Sequence, residues 1–115
     1  MIKGTPELIS QRREEIINAC ETLYQKMSFK DVTIKEIGNI TSFSRPTIYN
    51  YFETKEEIFL AIFQQEYEKW AEQLNAFIAE GGQKSKSEVA EMIASSLEER
   101  PLMLKLLSMN LFHME

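Results

Sequence analysis

From Ile16 the apolar residues fall at Ile16, Cys20, Leu23, Tyr24 and Met27, one stripe of an amphipathic helix. Arg12 to Glu15 lie upstream, so the spacing predicts a helix beginning between Glu7 and Gln11 and ending near Met27. Ser28 to Val32 is a connector. Thr33 and Glu36 then have the spacing of a capping box, and Ile34, Ile37 and Ile40 follow at helical intervals. This predicts a short second helix to Asn39 or Ile40, with its isoleucines against the first. Past Thr41-Ser42-Phe43, Ser44 can cap a third short helix running to Phe52. Pro46 sits in its first turn, where a missing N–H costs nothing.

Thr54 and Glu57 form a second capping box and open the longest helix. Its apolar stripe runs from Ile58, Phe59, Ile62 and Phe63 through Tyr67, Trp70 and Leu74 to Phe77 and Ile78, and Gly81-Gly82 ends it. Ser85 and Glu88 can cap a fifth helix, carrying Val89, Met92, Ile93 and Leu97. Pro101 punctuates, and Leu102 to Met114 is a sixth, almost wholly apolar segment. No stretch alternates with period two for long enough to be a strand, so the pattern predicts an all-α chain.

Composition removes several alternatives. Of the 115 residues one is Cys and one is His, so Cys20 has no disulfide partner and no Cys/His metal site can be assembled. Cys20 lies on the apolar stripe and is expected to be a buried, inert thiol. No nucleophile elbow, Gly-rich phosphate loop or catalytic His/Asp/Ser set is present, so an enzyme is not expected, nor a cofactor. The longest apolar run, Ile58 to Phe63, is far short of a membrane span, and the first residues lack a signal-peptide core. The expected compartment is the cytoplasm.

The formal charge of −5 counts against nucleic-acid binding, but it is unevenly spread. Residues 1–55 carry eight Lys/Arg against seven Asp/Glu, whereas residues 56–115 carry five against eleven. The positive groups therefore favour the half that holds the two short helices. Two short capped helices joined by a tight turn, between longer amphipathic ones, form a helix-turn-helix pattern. The open face of its second helix would carry Arg45, Pro46, Thr47, Tyr49 and Asn50. Arg can bond guanine bidentately, Asn can bond adenine, and hydroxyls reach phosphates.

The run from Thr33 to Ile58, and above all Ser44-x-x-Thr47-x-Tyr49-x-Tyr51-Phe52-x-x-Lys55-Glu56-Glu57, resembles the signature of the tetracycline-repressor (TetR) family of bacterial transcriptional regulators. The resemblance implies a three-helix DNA-binding domain over 1–54, with helices two and three as the helix-turn-helix and a long connecting helix four. Residues 55–115 would be the start of a helical ligand-binding and dimerisation domain. It implies that Lys35, Arg45, Pro46 and Asn50 face DNA bases and that Thr47, Tyr49 and Lys55 hold phosphates. Lys55 would be helped by the positive end of helix four. Phe52, Ile48 and Ile58 would be core residues.

Family members act as homodimers on near-palindromic double-stranded operators and release them when a small molecule shifts helix four. Phe63, Tyr67, Trp70 and Phe77 are candidates for lining an effector pocket, or are core aromatics. Such regulators are considerably longer, and the apolar end of this chain carries no capping signal, so it is expected to be an N-terminal portion. The departures from the family pattern are local: Gly38 for a small Ala in helix two, Ser28 for a Gly before it, Phe43 for a smaller apolar residue, and Ser42 for the turn Gly. If Ser42 takes the left-handed conformation, it costs about 1 kcal/mol. The alternative to a regulator is a helical protein-interaction module that binds no DNA and uses the apolar 102–114 segment.

Overall fold

A computed structural model describes residues 4–113, with side chains through Ser108. The described residues are helical and contain no strand. Six α-helices follow one another: α1 (Pro6–Tyr24), α2 (Ile34–Ile40), α3 (Arg45–Tyr49), α4 (Lys55–Ala79), α5 (Lys86–Glu98) and α6 (Pro101–His113), with one 3-10 turn at Phe29–Asp31. They divide into two compact units, Met1–Ile62 and Phe63–Glu115. The first two turns of α4 belong to the first unit and the rest of it to the second. No described helix is long and apolar enough to cross a membrane.

In the first unit α1 starts earlier than its apolar stripe foretells. Thr5 caps it by accepting from the Leu8 amide at 3.1 Å, and Pro6 occupies the first helical position. It also stops earlier: past Tyr24 the amides of Lys26 and Met27 both turn back to the Leu23 carbonyl, so Met27 is no longer helical. The stripe itself buries Ile16, Ile17, Ala19, Cys20, Leu23 and Tyr24. Val32, Ile37, Ile48, Phe52, Ile58, Phe59, Ala61 and Ile62 are the other buried apolar residues described in this unit. Ile48, Phe52 and Ile58 are thus core residues, as expected.

Ile40 was expected in the same core and is instead 50% exposed. With only seven residues α2 has two turns, so Ile37 in the middle is buried while Ile40 at the last position projects past the packing surface. The third helix is shorter than its expected Phe52 end. After Tyr49 the amides of Asn50 and Tyr51 bond three residues back, to Thr47 and Ile48, and this tightening turns Phe52 inward.

Cys20 is fully buried, and burial pushes its thiol up to about 12. The sign follows from the thiol being neutral in both states at neutral pH: its contribution to stability is whole below the ordinary value of 9.0 and is lost as pH rises towards 12. A disulfide-exchange reagent at neutral pH should therefore label the unfolded chain promptly and the native chain only at its unfolding rate. Prompt native labelling would contradict the burial.

In the second unit Gly81 and Gly82 end α4 with φ of 79° and 78°, a region that side-chain-bearing residues avoid. Ser85 and Glu88 form the full reciprocal capping box of α5. Buried Ser96 accepts from the indole N–H of Trp70 at 2.8 Å and donates to the Ile93 carbonyl at 2.8 Å, which pins α5 to α4. Glu66, largely buried, lies 3.5 Å from Lys69 and 3.9 Å from Arg100. Met103 and Leu106 of α6 are buried, while Leu104 and Leu107 are about 40% exposed.

Candidate nucleic-acid interface

The helix-turn-helix is made by hydroxyl groups. Thr33 caps α2 by accepting from the Glu36 amide at 3.1 Å. At the other end the Thr41 hydroxyl donates to the Ile37 carbonyl at 3.0 Å and accepts from the Phe43 amide at 3.2 Å, so one side chain closes the corner. Ser42 keeps a negative φ, as every described non-glycine residue does. The left-handed strain expected at Ser42 is therefore absent, because the Thr41 hydroxyl turns the chain without it. Gly38 has a separate reason to lack a side chain: a Cβ there would lie 3.2 Å from the Phe43 carbonyl oxygen, where α2 passes under the turn.

Ser44 caps α3 by accepting from the Thr47 amide at 3.3 Å, and the two hydroxyls also share a hydrogen bond at 3.0 Å. Ile48 is fully buried and anchors the helix. Arg45, Pro46, Tyr49 and Asn50 are exposed. At about 100° per residue these four fall within a continuous arc of about 140°, on the side turned away from Ile48. Thr47 lies about 60° beyond this arc, half-buried, its hydroxyl already engaged by Ser44. Lys35 is exposed on α2. The side chains of Lys35, Arg45 and Asn50 take no hydrogen bond or ion pair among the described residues, so they are free for a ligand.

The arc offers a forked cation, an amide, a phenol and an apolar ring. Those are the groups that read base edges and grip phosphates in a major groove.

Lys55 departs from its expected role. Its ammonium donates to the carbonyls of Phe29 at 2.7 Å, Val32 at 2.9 Å and Lys30 at 3.4 Å, and it lies 4.3 Å from the centre of the Phe29 ring. A phosphate contact through this ammonium does not match the structure, since its three donors are committed within the unit. The first turn of α4 is also partly satisfied. Thr54 accepts from the Glu57 amide, and the Glu57 carboxylate reaches the amide of Glu53, not that of Thr54 as the capping box predicted. Sequence reasoning missed the Lys55 contacts because they span more than twenty residues. It also missed the Arg13 guanidinium, 5.1 Å from the centre of the Phe52 ring.

Of the four aromatic residues proposed for an effector pocket, one lines the apolar cleft described in the second unit. In the second unit an apolar cleft of about 320 Å³ is lined by Leu74, Phe77, Ile78, Val89, Met92 and Ile93, with Lys84 and Gly82 at its edge. Phe77 is there. Phe63, Tyr67 and Trp70 instead form a run of rings along α4, at centroid separations of 6.4 and 6.0 Å, and Trp70 is tied to Ser96. The outer part of the apolar C-terminal segment, with His113, has its side chains outside the described residues.

Residues 16–62 match the family model described as bacterial regulatory proteins of the tetR family. Residues 64–115 match the one described as the C-terminal domain of tetracycline-repressor-like proteins. The chain is 34% identical over 62 residues to an uncharacterised helix-turn-helix transcriptional regulator, YfiR, of Bacillus subtilis, covering 54% of this chain and 30% of that protein. It is 33% identical over 61 residues to the regulator QacR of Staphylococcus aureus, covering 53% and 32%. It is 27% identical over 74 residues to the transcriptional repressor AcnR of Corynebacterium diphtheriae, covering 64% and 37%. The chain thus spans about a third of the length of the curated relatives it matches. A helix-turn-helix with an open, polar α3 face, followed by a helical unit that matches the same family, makes the chain a member of the tetracycline-repressor family of transcriptional regulators.

Proposed function

We propose that the chain reads double-stranded DNA through the exposed arc of α3 and serves a ligand-responsive repressor. Arg45, Pro46 and Asn50, with Lys35 of α2, face bases, and Thr47 and Tyr49 hold phosphates. Residues 1–54 are the reading domain, and residues 55–115 belong to the domain that binds an effector and forms a homodimer. Two such heads on a near-palindromic operator would need half-sites about 34 Å apart, or a small multiple of that. The effector would be a small molecule, and the cleft lined by Leu74, Phe77 and Ile93 is a better candidate site than the ring run along α4. The observation that carries the reading is the arc itself: Arg45 and Asn50 are exposed on one side of a helix whose other side is held by buried Ile48.

Mobility shift of the chain on random duplex at several salt concentrations tests this. The logarithm of the binding constant should fall linearly with the logarithm of salt, by about 0.9 per phosphate neutralised. A folded chain that binds no duplex even at low salt would sink the proposal. That result would favour the second reading, a protein-interaction module, for which the exposed Leu104 and Leu107 of α6 speak.

A further inference from the structure

The Lys55 ammonium donates to three backbone carbonyls of the first unit and lies over an aromatic ring. Phe29 to Asp31 form a 3-10 turn, whose final carbonyls have no partner within the turn. A lysine cation set against such carbonyls acts as a cap, and here it takes two of them, Phe29 and Lys30, together with the carbonyl of Val32 just past the turn. The Phe29 ring beneath it is in turn held edge-on by Phe59, at 4.9 Å between centroids.

The topology gives this cap a second consequence. Val32 and Lys55 are 23 residues apart, and the bond between them encloses Thr33 to Thr54, which is all of α2, the turn and α3. Thr33, the cap of α2, directly follows one end of the bond, and Thr54, which caps the first turn of α4, directly precedes the other. The helix-turn-helix therefore enters and leaves through one fastened point. Rotation of α2 and α3 about their flanking residues would have to break charge-assisted hydrogen bonds.

We propose that Lys55 is a positioning residue for DNA reading: its ammonium fixes the pose of α2 and α3 against the start of α4 and makes no phosphate contact. This rests on the DNA-binding reading above.

Lys55→Met keeps the aliphatic stem on the Phe29 ring and removes the ammonium. For the whole chain, with circular dichroism showing it folded, the affinity for random duplex should fall about tenfold, the scale of a lost charged hydrogen bond. The salt slope should match that of the unsubstituted chain. A slope smaller by about 0.9 would mean that Lys55 neutralises a phosphate, and overturns the proposal. So does an unchanged affinity in the folded variant, since a residue that only stabilises the fold leaves binding by the folded chain intact.

A second measurement needs no variant. In ¹⁵N spectra of the lysine ammonium groups, the Lys55 protons should exchange with water more slowly than those of exposed Lys35, in the free chain and with duplex added. Exchange as fast as that of Lys35, or loss of protection on adding duplex, overturns the proposal. If the unsubstituted chain binds no duplex, the DNA reading fails, and the ammonium measurement on the free chain still decides whether Lys55 is the fastening.

Discussion

Replacing Phe59 by alanine is expected to destabilise the first unit by about 3–5 kcal/mol, the typical range for losing a buried aromatic side chain. Phe59 is fully buried, and its ring meets Tyr24 at 85° and Phe29 at 69°, both at 4.9 Å between centroids. Each edge-to-face pair adds about 0.5–1.5 kcal/mol beyond the area it buries. The loss also reaches the chain on either side. Tyr24 is the last residue of α1, and Phe29 opens the 3-10 turn capped by Lys55. Small domains have total stabilities of about 5–15 kcal/mol, so the variant should be largely unfolded at modest urea. Urea unfolding followed by far-ultraviolet circular dichroism measures this. A shift worth less than about 1 kcal/mol, the typical effect of an ordinary substitution, would show that these rings are not the keystone of the unit.

The second large effect is expected in DNA reading. Arg45→Ala should narrow the free-energy gap between a selected operator and random duplex by about 1–3 kcal/mol, the worth of one bidentate base contact. Arg45 opens α3 and is directly followed by Pro46, whose ring fixes φ there and stiffens the helix start. Its guanidinium is exposed and has no partner among the described residues, so removing it should leave the fold intact. The measurement is selection of bound duplexes from a random pool, then affinities for the winner and for random DNA at one salt concentration. An unchanged ratio would refute base reading by Arg45, and an equal loss on both sequences would make it a phosphate ligand.

Local signals carried most of the fold. Caps at Thr33, Ser44, Thr54 and Ser85 lie three residues from the amides they bond, and the closing Gly81-Gly82 pair is equally local, so a linear reading can find them. Helix ends were less legible. Met27 and Phe52 fit the helical spacing, yet the chain leaves the helix before each through bonds that periodicity does not register. The face of α3 could be read because buried Ile48 fixes its rotation. The role of Lys55 could not, because its acceptors are backbone carbonyls, which any residues at positions 29, 30 and 32 would present. Burial of apolar side chains failed in the same way at Ile40, where the length of α2 and not the type of residue decides exposure.

The corner between α2 and α3 bears on the unfolded chain as well. A glycine there would leave the denatured ensemble freer than a serine does, and folding would have to surrender that freedom. Because Ser42 sits at negative φ, the native state carries no compensating strain. A residue with a side chain at such a position lowers the entropy lost on folding by an amount worth about 0.4–1 kcal/mol. The departure from glycine at this corner is then a net gain in stability, with the Thr41 hydroxyl supplying the bend that glycine's conformational freedom would otherwise provide.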